Sequence, residues 1–512
     1  MSEKFSKNAM VKIFILLIIL NVILRFQVVP HEIYPDSVFI HVMTNSLNKF
    51  GYAKWILHPL SIFGLYPGSY TSSVQFFLSG ISQSANMEME SVIFLYCILI
   101  SVVSIFTSYI MAKKIINNNI FKFLVAFLFS TSPGVLGYTT WTIPSRGLFI
   151  VLAPLFVYTM LRCRKSLKYA PLVVILSILL FSTHHLFYFL IPTIFAFLFL
   201  NIFYKIKYIK SVKVDKLFPA ISIGCFLLAF SIPFFTGKFL ESSRYAPIDV
   251  SYGRYIGIPI VFVIGGLVYL ILKHNKKFEE WFLLLSVAYI TTFIYIQTYM
   301  KWFIPIFAIP LAALGLVNII RLSVNKKLIL KVFTIFLLIS LSFSAYYQYI
   351  HFIPKPEEKP INERYLEEST YQAALWMREN LNGSAISHVR YFDIRIFAIS
   401  EKANVLVGSL VINHIYGFNE LNISEFKMYP LTSDGFWFAG YTGPAVGEIT
   451  WDYINLEKLP YQKFAIKYFV ENTRARGNVI WHHGVYPSNL LRNAYDEKAC
   501  LYDNGEVHIW GL

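Results

Sequence analysis

Long apolar runs recur along this chain from Met10 to Tyr349 and then stop. A run of roughly 20 apolar residues is what a helix needs to cross a hydrocarbon core about 30 Å thick. Composition agrees: 56% of the 512 residues are hydrophobic and 14% are charged, where a soluble chain carries about 25% charged residues. The formal net charge of +16 does not point to nucleic acid. The Lys and Arg residues fall between apolar runs, where membrane topology accounts for them. Cys97, Cys163, Cys225 and Cys500 are scattered and offer neither metal-ligand spacing nor a disulfide framework.

Spans are expected at 10–29, 91–112, 119–137, 146–162, 169–184, 186–204, 217–236, 256–273, 279–297, 302–320 and 328–348. Lys4, Lys7 and Lys12 precede the first, and the bulky Arg25-Phe26-Gln27 offers no cleavage site, so it is read as a retained helix. The short, Ser- and Gly-containing stretch 71–85 is read as interfacial or re-entrant. About eleven crossings result, with a cytoplasmic N-terminus. The basic clusters Lys113-Lys114, Arg162 to Lys168, Lys205 to Lys216, Lys273 to Lys277 and Arg321 to Lys331 then lie inside. Fewer basic residues lie outside, among them Arg25, Lys49, Arg146, Arg254 and Lys301. Counting 71–85 as a crossing would invert every later loop. The expected fold is therefore mainly α: a polytopic membrane helix bundle over 1–349, with a first outer loop at about 30–70, and a small α/β extracytoplasmic domain over 350–512. The C-terminal Ile509-Trp510-Gly511-Leu512 shows no retention signal, so a multi-pass protein of a prokaryotic plasma membrane is expected.

The tail has the local signals of a folded domain. Pro354, Pro356 and Pro360 make a stiff linker. Ser369 with Gln372 reads as a capping box opening a helix through Leu381, which Asn382-Gly383 ends. Strands are expected over 403–407 and 464–470, and a hairpin turn at Asp503-Asn504-Gly505.

The chemistry concentrates in the outer segments. Asp36 follows Pro35 and precedes an amphipathic stretch with Val38, Phe39, Val42 and Leu47, which places a carboxylate at the start of an interfacial helix. A plain helix cap is the simpler role for it. His31, His41 and His58 share this loop without the close spacing of a zinc site. Lys301 opens a span and is either a phosphate partner or a snorkelling lysine. Arg244 and Arg254 share the loop 237–255 with Glu241 and Asp249, as ligand-binding groups or as local ion pairs. His184-His185 joins two short spans, where ionisable residues suggest function but a solvent-wetted loop tip is the alternative. Tyr138 and Trp141, with Arg146, read as an aromatic belt, with a sugar platform as the alternative.

Three segments carry a family resemblance: Pro35-Asp36-Ser37 with His41, His58-Pro59 through Tyr66-Pro67, and Lys301-Trp302-Phe303-Ile304-Pro305 with Pro310 to Gly315. In this order and topology the chain resembles the GT-C glycosyltransferases, which include protein O-mannosyltransferases, aminoarabinose transferases and oligosaccharyltransferases. The resemblance implies transfer of a sugar from a polyprenyl-phosphate-linked donor to a glycan, lipid or protein acceptor at the outer face, with inversion. It implies Asp36 as the base and Lys301, Arg244, Arg254, His58, Glu241, His184 and His185 as substrate-binding candidates. Many relatives show two adjacent acids in this loop, whereas Asp36 is flanked by Pro35 and Ser37, with Glu32 the nearest acid. A divalent cation, Mg or Mn, therefore stays open, and no metal ligand is assigned. Trp451-Asp452-Tyr453 is similar to part of the oligosaccharyltransferase signature, but Thr450 and Ile454 replace its ends, so it is read as a chance match. The competing readings are a transporter or flippase of lipid-linked saccharides, for which no internal repeat is visible, and a non-catalytic envelope-assembly protein.

Overall fold

The computed structural model describes residues 7–53, 71–210, 253–291, 299–323, 325–352, 366–387, 395–396, 398–401, 404–406, 466–473, 479–481, 484–486 and 499–511. Its helices are α1 (Lys7–Ile23), α2 (Pro35–Phe50), α3 (Ser73–Ala85), α4 (Met89–Ile115), α5 (Asn119–Ser130), α6 (Pro133–Leu136), α7 (Ser145–Cys163), α8 (Ala170–Thr183) and α9 (Leu190–Lys210). They continue as α10 (Val261–Leu272), α11 (Phe278–Thr291), α12 (Met300–Phe303), α13 (Pro305–Leu322), α14 (Lys326–Phe352) and α15 (Glu368–Asn380). The strands are β1 (Ser384–Ser387), β2 (Asn404–Leu406), β3 (Ile466–Asn472), β4 (Val479–Trp481), β5 (Gly484–Tyr486), β6 (Cys500–Asp503) and β7 (Val507–Gly511). Two compact units contain them: Met1–Gln27 with Cys97–Thr140 and Ser145–His351, and Val28–Tyr96 with Trp141–Pro144 and Phe352–Leu512.

The first unit is helical. Among the described residues five helical segments are long and apolar enough to cross a membrane: Met89–Ile115, Ser145–Cys163, His185–Lys205, Pro305–Leu322 and Lys327–Ile350. Asn8–Ile23, Asn119–Ser130, Leu167–Thr183 and Ile258–Leu272 are apolar but shorter. The expected span 217–236 lies outside the described residues. On α14, Leu328, Val332, Ile335, Leu338 and Ile339 are exposed, whereas nearly all of α13 from Pro305 to Asn318 is buried. Helix α13 is therefore the centre of the bundle, and α14 presents the kind of apolar surface that lipid covers.

A close crossing joins α10 to α13. A Cβ on Gly266 would sit 1.9 Å from the Leu311 carbonyl oxygen, and one on Gly315 would sit 2.4 Å from that of Phe262. Small residues let membrane helices pack backbone to backbone, where dispersion replaces the missing hydrophobic drive. Another polar contact ties the end of α1 to the bundle. Arg25 is fully buried; its Nε donates to Thr139 Oγ1 at 3.0 Å, Nη1 to Asn21 Oδ1 at 2.7 Å and Nη2 to the Ser130 carbonyl at 2.9 Å. The sequence places Arg25 inside a span or in an outer loop. The guanidinium instead spends its donors on neighbours in its own unit, which a buried cation requires.

The second unit joins Val28–Tyr96 to the C-terminal residues. One apolar core holds Val38, Val42, Met43 and Leu47 from α2, Ala373, Ala374 and Met377 from α15, and Val470, Val507 and Ile509 from the sheet. Asn45 of α2 donates to the Ala398 carbonyl at 2.7 Å. Helix α2 was expected at a lipid interface; nearly every residue from Ser37 to Leu47 is instead enclosed by protein. The sheet runs β2-β1-β3-β7-β6, with β1 parallel to β2 and β3, and β7 antiparallel to β3 and β6. The expected turn forms: Gly505 takes φ 85°, and Asn504 Oδ1 accepts from the Val507 amide at 2.8 Å.

The capping box does not form. Helix α15 starts two residues earlier, at Glu368, with Glu367 rather than Ser369 in the cap position and no side-chain cap. Ser369 Oγ instead donates to Glu506 Oε2, and Gln372 Nε2 donates to Glu368 Oε1 at 2.7 Å. A nearby acceptor, Glu506 in the turn between β6 and β7, outcompetes the local motif. The expected linker, residues 354–360, lies outside the described residues.

Candidate active site

Asp36 stands in the first turn of α2, half-buried, with Pro35 before it. Pro35 supplies the fixed φ and absent N–H that suit a first helical turn, and the helix dipole favours a carboxylate there. Tyr34, which precedes Pro35, holds φ 72° and ψ 139°. A left-handed φ at a bulky residue costs of order 1–3 kcal/mol and persists only where its surroundings over-determine it. Trp141, at φ 52°, is a second such residue, and the Ile33 amide donates to the Trp141 carbonyl at 3.0 Å.

Buried polar groups supply the restraint. Glu32, Ser37 and His41 are almost completely buried. Ser37 Oγ donates to Glu32 Oε2, while His41 Nδ1 bonds Glu32 Oε1 on the other side. Ser37 Oγ also accepts the Ile143 amide at 3.0 Å. Burial alone would pull the His41 ring toward its neutral form; the Glu32 carboxylate outweighs it, and the ring is held above the usual histidine range. Nearby, His31 Nδ1 faces Glu90 Oε1 at 3.2 Å and its Nε2 faces Glu368 Oε2 at 3.2 Å, with the ring stacked 4.0 Å from Tyr371. Burial lowers His31 as well, but Glu90 and Glu368 together raise it overall.

These contacts bear on a metal. Both oxygens of Glu32, the acid nearest Asp36 in sequence, are engaged by Ser37 and His41. Among the described residues no three of His, Cys, Asp and Glu gather as a metal site. Glu241, Asp249, Arg244 and His58 lie outside the described residues.

In the first unit the structure gathers Lys301, Arg254, His184 and His185, four of the sequence candidates, around aromatic rings. The Arg146 guanidinium lies 4.4 Å from the Trp302 ring centroid and 5.2 Å from that of Tyr138. Lys301 Nζ lies 5.1 Å from the same Trp302 ring and 5.7 Å from Tyr255. Arg254 sits 4.8 Å from the Tyr347 ring. Tyr138 and Tyr255 stack, with their hydroxyls 3.3 Å apart. Tyr299 links the histidines to the group, edge-on to Trp302 at 4.6 Å and 5.0 Å from His185, which lies 4.1 Å from His184.

The local folding explains this gathering. Arg146 opens α7 and His184 follows α8, so an antiparallel pair brings them to one end of the bundle. Helix α12 turns Lys301 and Trp302 into the same end before Pro305 starts α13. A Cβ on Gly147 would sit 2.2 Å from the Tyr138 carbonyl oxygen, so glycine is needed to bring the Tyr138 turn onto α7. Cations over aromatic faces are attracted electrostatically by the rings. Arg146 was read from the sequence as part of an aromatic belt. Its place beside Tyr138 is the signal that it belongs with Lys301, and Trp141, also assigned to the belt, is buried.

No family model and no curated protein matches the sequence. Solved structures do. An archaeal oligosaccharyltransferase, AglB from Archaeoglobus fulgidus in complex with an inhibitory peptide and a dolichol-phosphate, superposes with TM-score 0.54 at 12% identity, over 90% of this chain and 69% of that one. The apo form of the Archaeoglobus fulgidus oligosaccharyltransferase gives TM-score 0.57 at 12% identity, over 93% and 71%. The arabinofuranosyltransferase AftD from Mycobacteria gives TM-score 0.53 at 14% identity over 100% of this chain, which spans 42% of the AftD chain. Trp451-Asp452-Tyr453 lies outside the described residues. With membrane-length apolar helices, a first loop built into a C-terminal α/β unit and these neighbours, the chain has the fold of the GT-C glycosyltransferases.

Proposed function

We propose that this chain is a membrane glycosyltransferase that takes a sugar from a polyprenyl-phosphate carrier and places it on a glycan, lipid or protein acceptor at the outer face. The observation that carries the reading is the cation–aromatic group of Arg146, Lys301 and Arg254 around Trp302, Tyr255 and Tyr347, at one end of a bundle with this fold. A lipid-linked phosphate is a good leaving group, and what it needs is stabilisation of the charge it gains as it departs. Fixed guanidinium and ammonium groups beside ring faces supply that. The aromatic faces also suit the apolar side of a sugar ring. The dolichol-phosphate bound to AglB is a lipid carrier of the donor class proposed here.

In this reaction the acceptor hydroxyl oxygen bonds the anomeric carbon while the bond from that carbon to the phosphate oxygen breaks. Asp36 takes the hydroxyl proton as general base, and the phosphate leaves with the bonding pair. Attack opposite the leaving group inverts the anomeric carbon. No step is routed through a metal ion. The accompanying topology is about eleven crossings, a cytoplasmic N-terminus and an extracytoplasmic C-terminal domain in the plasma membrane, which the basic clusters inside support.

The experiment is transfer by purified protein in detergent from a panel of radiolabelled polyprenyl-phosphate sugars, wild type beside Asp36→Asn, with and without chelator. Transfer by the wild type that is lost in Asp36→Asn supports the enzyme and its base, and loss on chelation would show that a metal is needed after all. Undiminished transfer by Asp36→Asn sinks the mechanism. Absence of transfer from every donor by folded protein would favour a transporter of lipid-linked saccharides.

A further inference from the structure

The buried Glu32 and Ile143 of the Trp141–Pro144 segment meet at one hydroxyl, that of Ser37, whose amide donates to the carbonyl of the strained Tyr34 at 3.0 Å. We infer that Glu32, Ser37 and His41 are positioning residues that fix the direction of the Asp36 carboxylate, an inference resting on Asp36 being the base.

The argument starts from what a tyrosine before a proline prefers. Proline disfavours the α region for its predecessor and leaves it an extended conformation with negative φ. Tyr34 is held instead at φ 72°. Without a restraint the turn relaxes, Pro35 rotates, and the first turn of α2, with Asp36 in it, points elsewhere. The restraint acts from both sides of the strained residue. Before it, the Ile33 amide is tied to the Trp141 carbonyl at 3.0 Å. After it, Ser37 is tied to Glu32 and to the Ile143 amide. Glu32 closes the loop, because its other oxygen is bonded by His41, one turn further into α2. Asp36 is bracketed in sequence by a clamp that begins at Glu32 and ends at His41.

A second observation favours this use over a purely structural one. A buried carboxylate, hydroxyl and imidazole add little net stability compared with apolar residues of similar shape. What such a network does supply is a single geometry, since each donor and acceptor is satisfied in only one arrangement. Backbone outliers concentrate where function needs a preset direction, and Tyr34 and Trp141 are two of the four non-glycine residues with positive φ among the described residues. They are linked to each other through Ile33.

The test compares Glu32→Gln, Ser37→Ala, His41→Ala and His41→Asn with wild type and Asp36→Asn in the transfer assay, reading kcat and donor KM separately. Glutamine at position 32 and alanine at position 37 change few atoms, and thermal unfolding in detergent checks that each variant, His41→Ala included, is folded. A base misplaced by about 1 Å costs on the order of 100-fold in rate. The expected result is a kcat lowered roughly 10- to 100-fold in Glu32→Gln and Ser37→Ala, with donor KM unchanged. Asn retains an N–H near the position of the imidazole Nδ1, so His41→Asn should recover most of the kcat lost in His41→Ala. Full kcat in folded Glu32→Gln and Ser37→Ala, beside an inactive Asp36→Asn, overturns this inference and leaves the base intact. Loss confined to donor KM, or no recovery in His41→Asn, also overturns it. Full activity of Asp36→Asn removes the base reading itself, and the inference falls with it.

Discussion

Gly266 and Gly315 face each other across the α10–α13 crossing, where neither helix has room for a single added methyl group. A Cβ at Gly266 would overlap the Leu311 carbonyl oxygen at 1.9 Å, a backbone atom that cannot swing aside. Gly266→Ala and Gly315→Ala should each destabilise the fold by about 1–3 kcal/mol or more, the usual cost of overpacking. Thermal unfolding in detergent reads this directly. Gly265, with open space around its Cβ position, is the control and should tolerate alanine.

The Trp302 ring serves Arg146 and Lys301 at once. In the proposed reaction each cation would make a charge-assisted contact to the donor phosphate, and losing such a contact costs about 1.5–3 kcal/mol. Arg146→Ala and Lys301→Ala should therefore weaken donor binding roughly 10- to 100-fold. Arg146→Lys should recover only part of this, because an ammonium lacks the planar fork. A donor titration by intrinsic tryptophan fluorescence or by transfer kinetics separates these outcomes.

The His31 contacts predict a pH dependence. Its folded-state value lies above the usual one, because Glu90 and Glu368 more than offset its burial. The stabilisation is therefore full below about pH 6.5 and fades as pH rises through the raised value. Wild type should lose melting temperature across this alkaline window more steeply than His31→Gln. Parallel curves for the two proteins would show that the ring does not carry the effect.

Glu32 and His41 are both buried to within 2% of full enclosure. Removing one partner of such a pair leaves the other without compensation, at about 3–5 kcal/mol. His41→Leu should lose stability on that scale, and the double substitution Glu32→Leu with His41→Leu should recover a good part of it. Denaturant unfolding of the three proteins forms the cycle that measures it.

What the sequence made legible was periodic or local. Apolar runs reveal α4, α7, α9, α13 and α14 because each is its own signal, and the turn at Gly505 follows from Asp-Asn-Gly chemistry. Lys301, Arg254 and the His184-His185 pair were visible as ionisable residues at or beside span ends, and the structure does group them. The network at Ser37 was not legible. It depends on a partner, Ile143, more than a hundred residues away, and no spacing rule reaches that far. The capping box at Ser369 failed for the same reason, since Glu506 offers the hydroxyl a better acceptor. Helix α2 has the amphipathic pattern of a surface helix, but its second face is covered by elements from the far end of the chain.

That last feature bears on biosynthesis. The core formed by α2, α15 and the sheet is assembled from chain ends separated by more than 300 residues. Helix α2 leaves the ribosome early and must wait, with Val42, Met43 and Leu47 uncovered, until residues 366–511 have been made. Such late closure is slow, because loop entropy is spent before any contact rewards it, and it exposes an apolar helix to aggregation meanwhile. A tail clipped off at residue 350 would not be a free-standing module: it would leave behind the helix that fills part of its own interior.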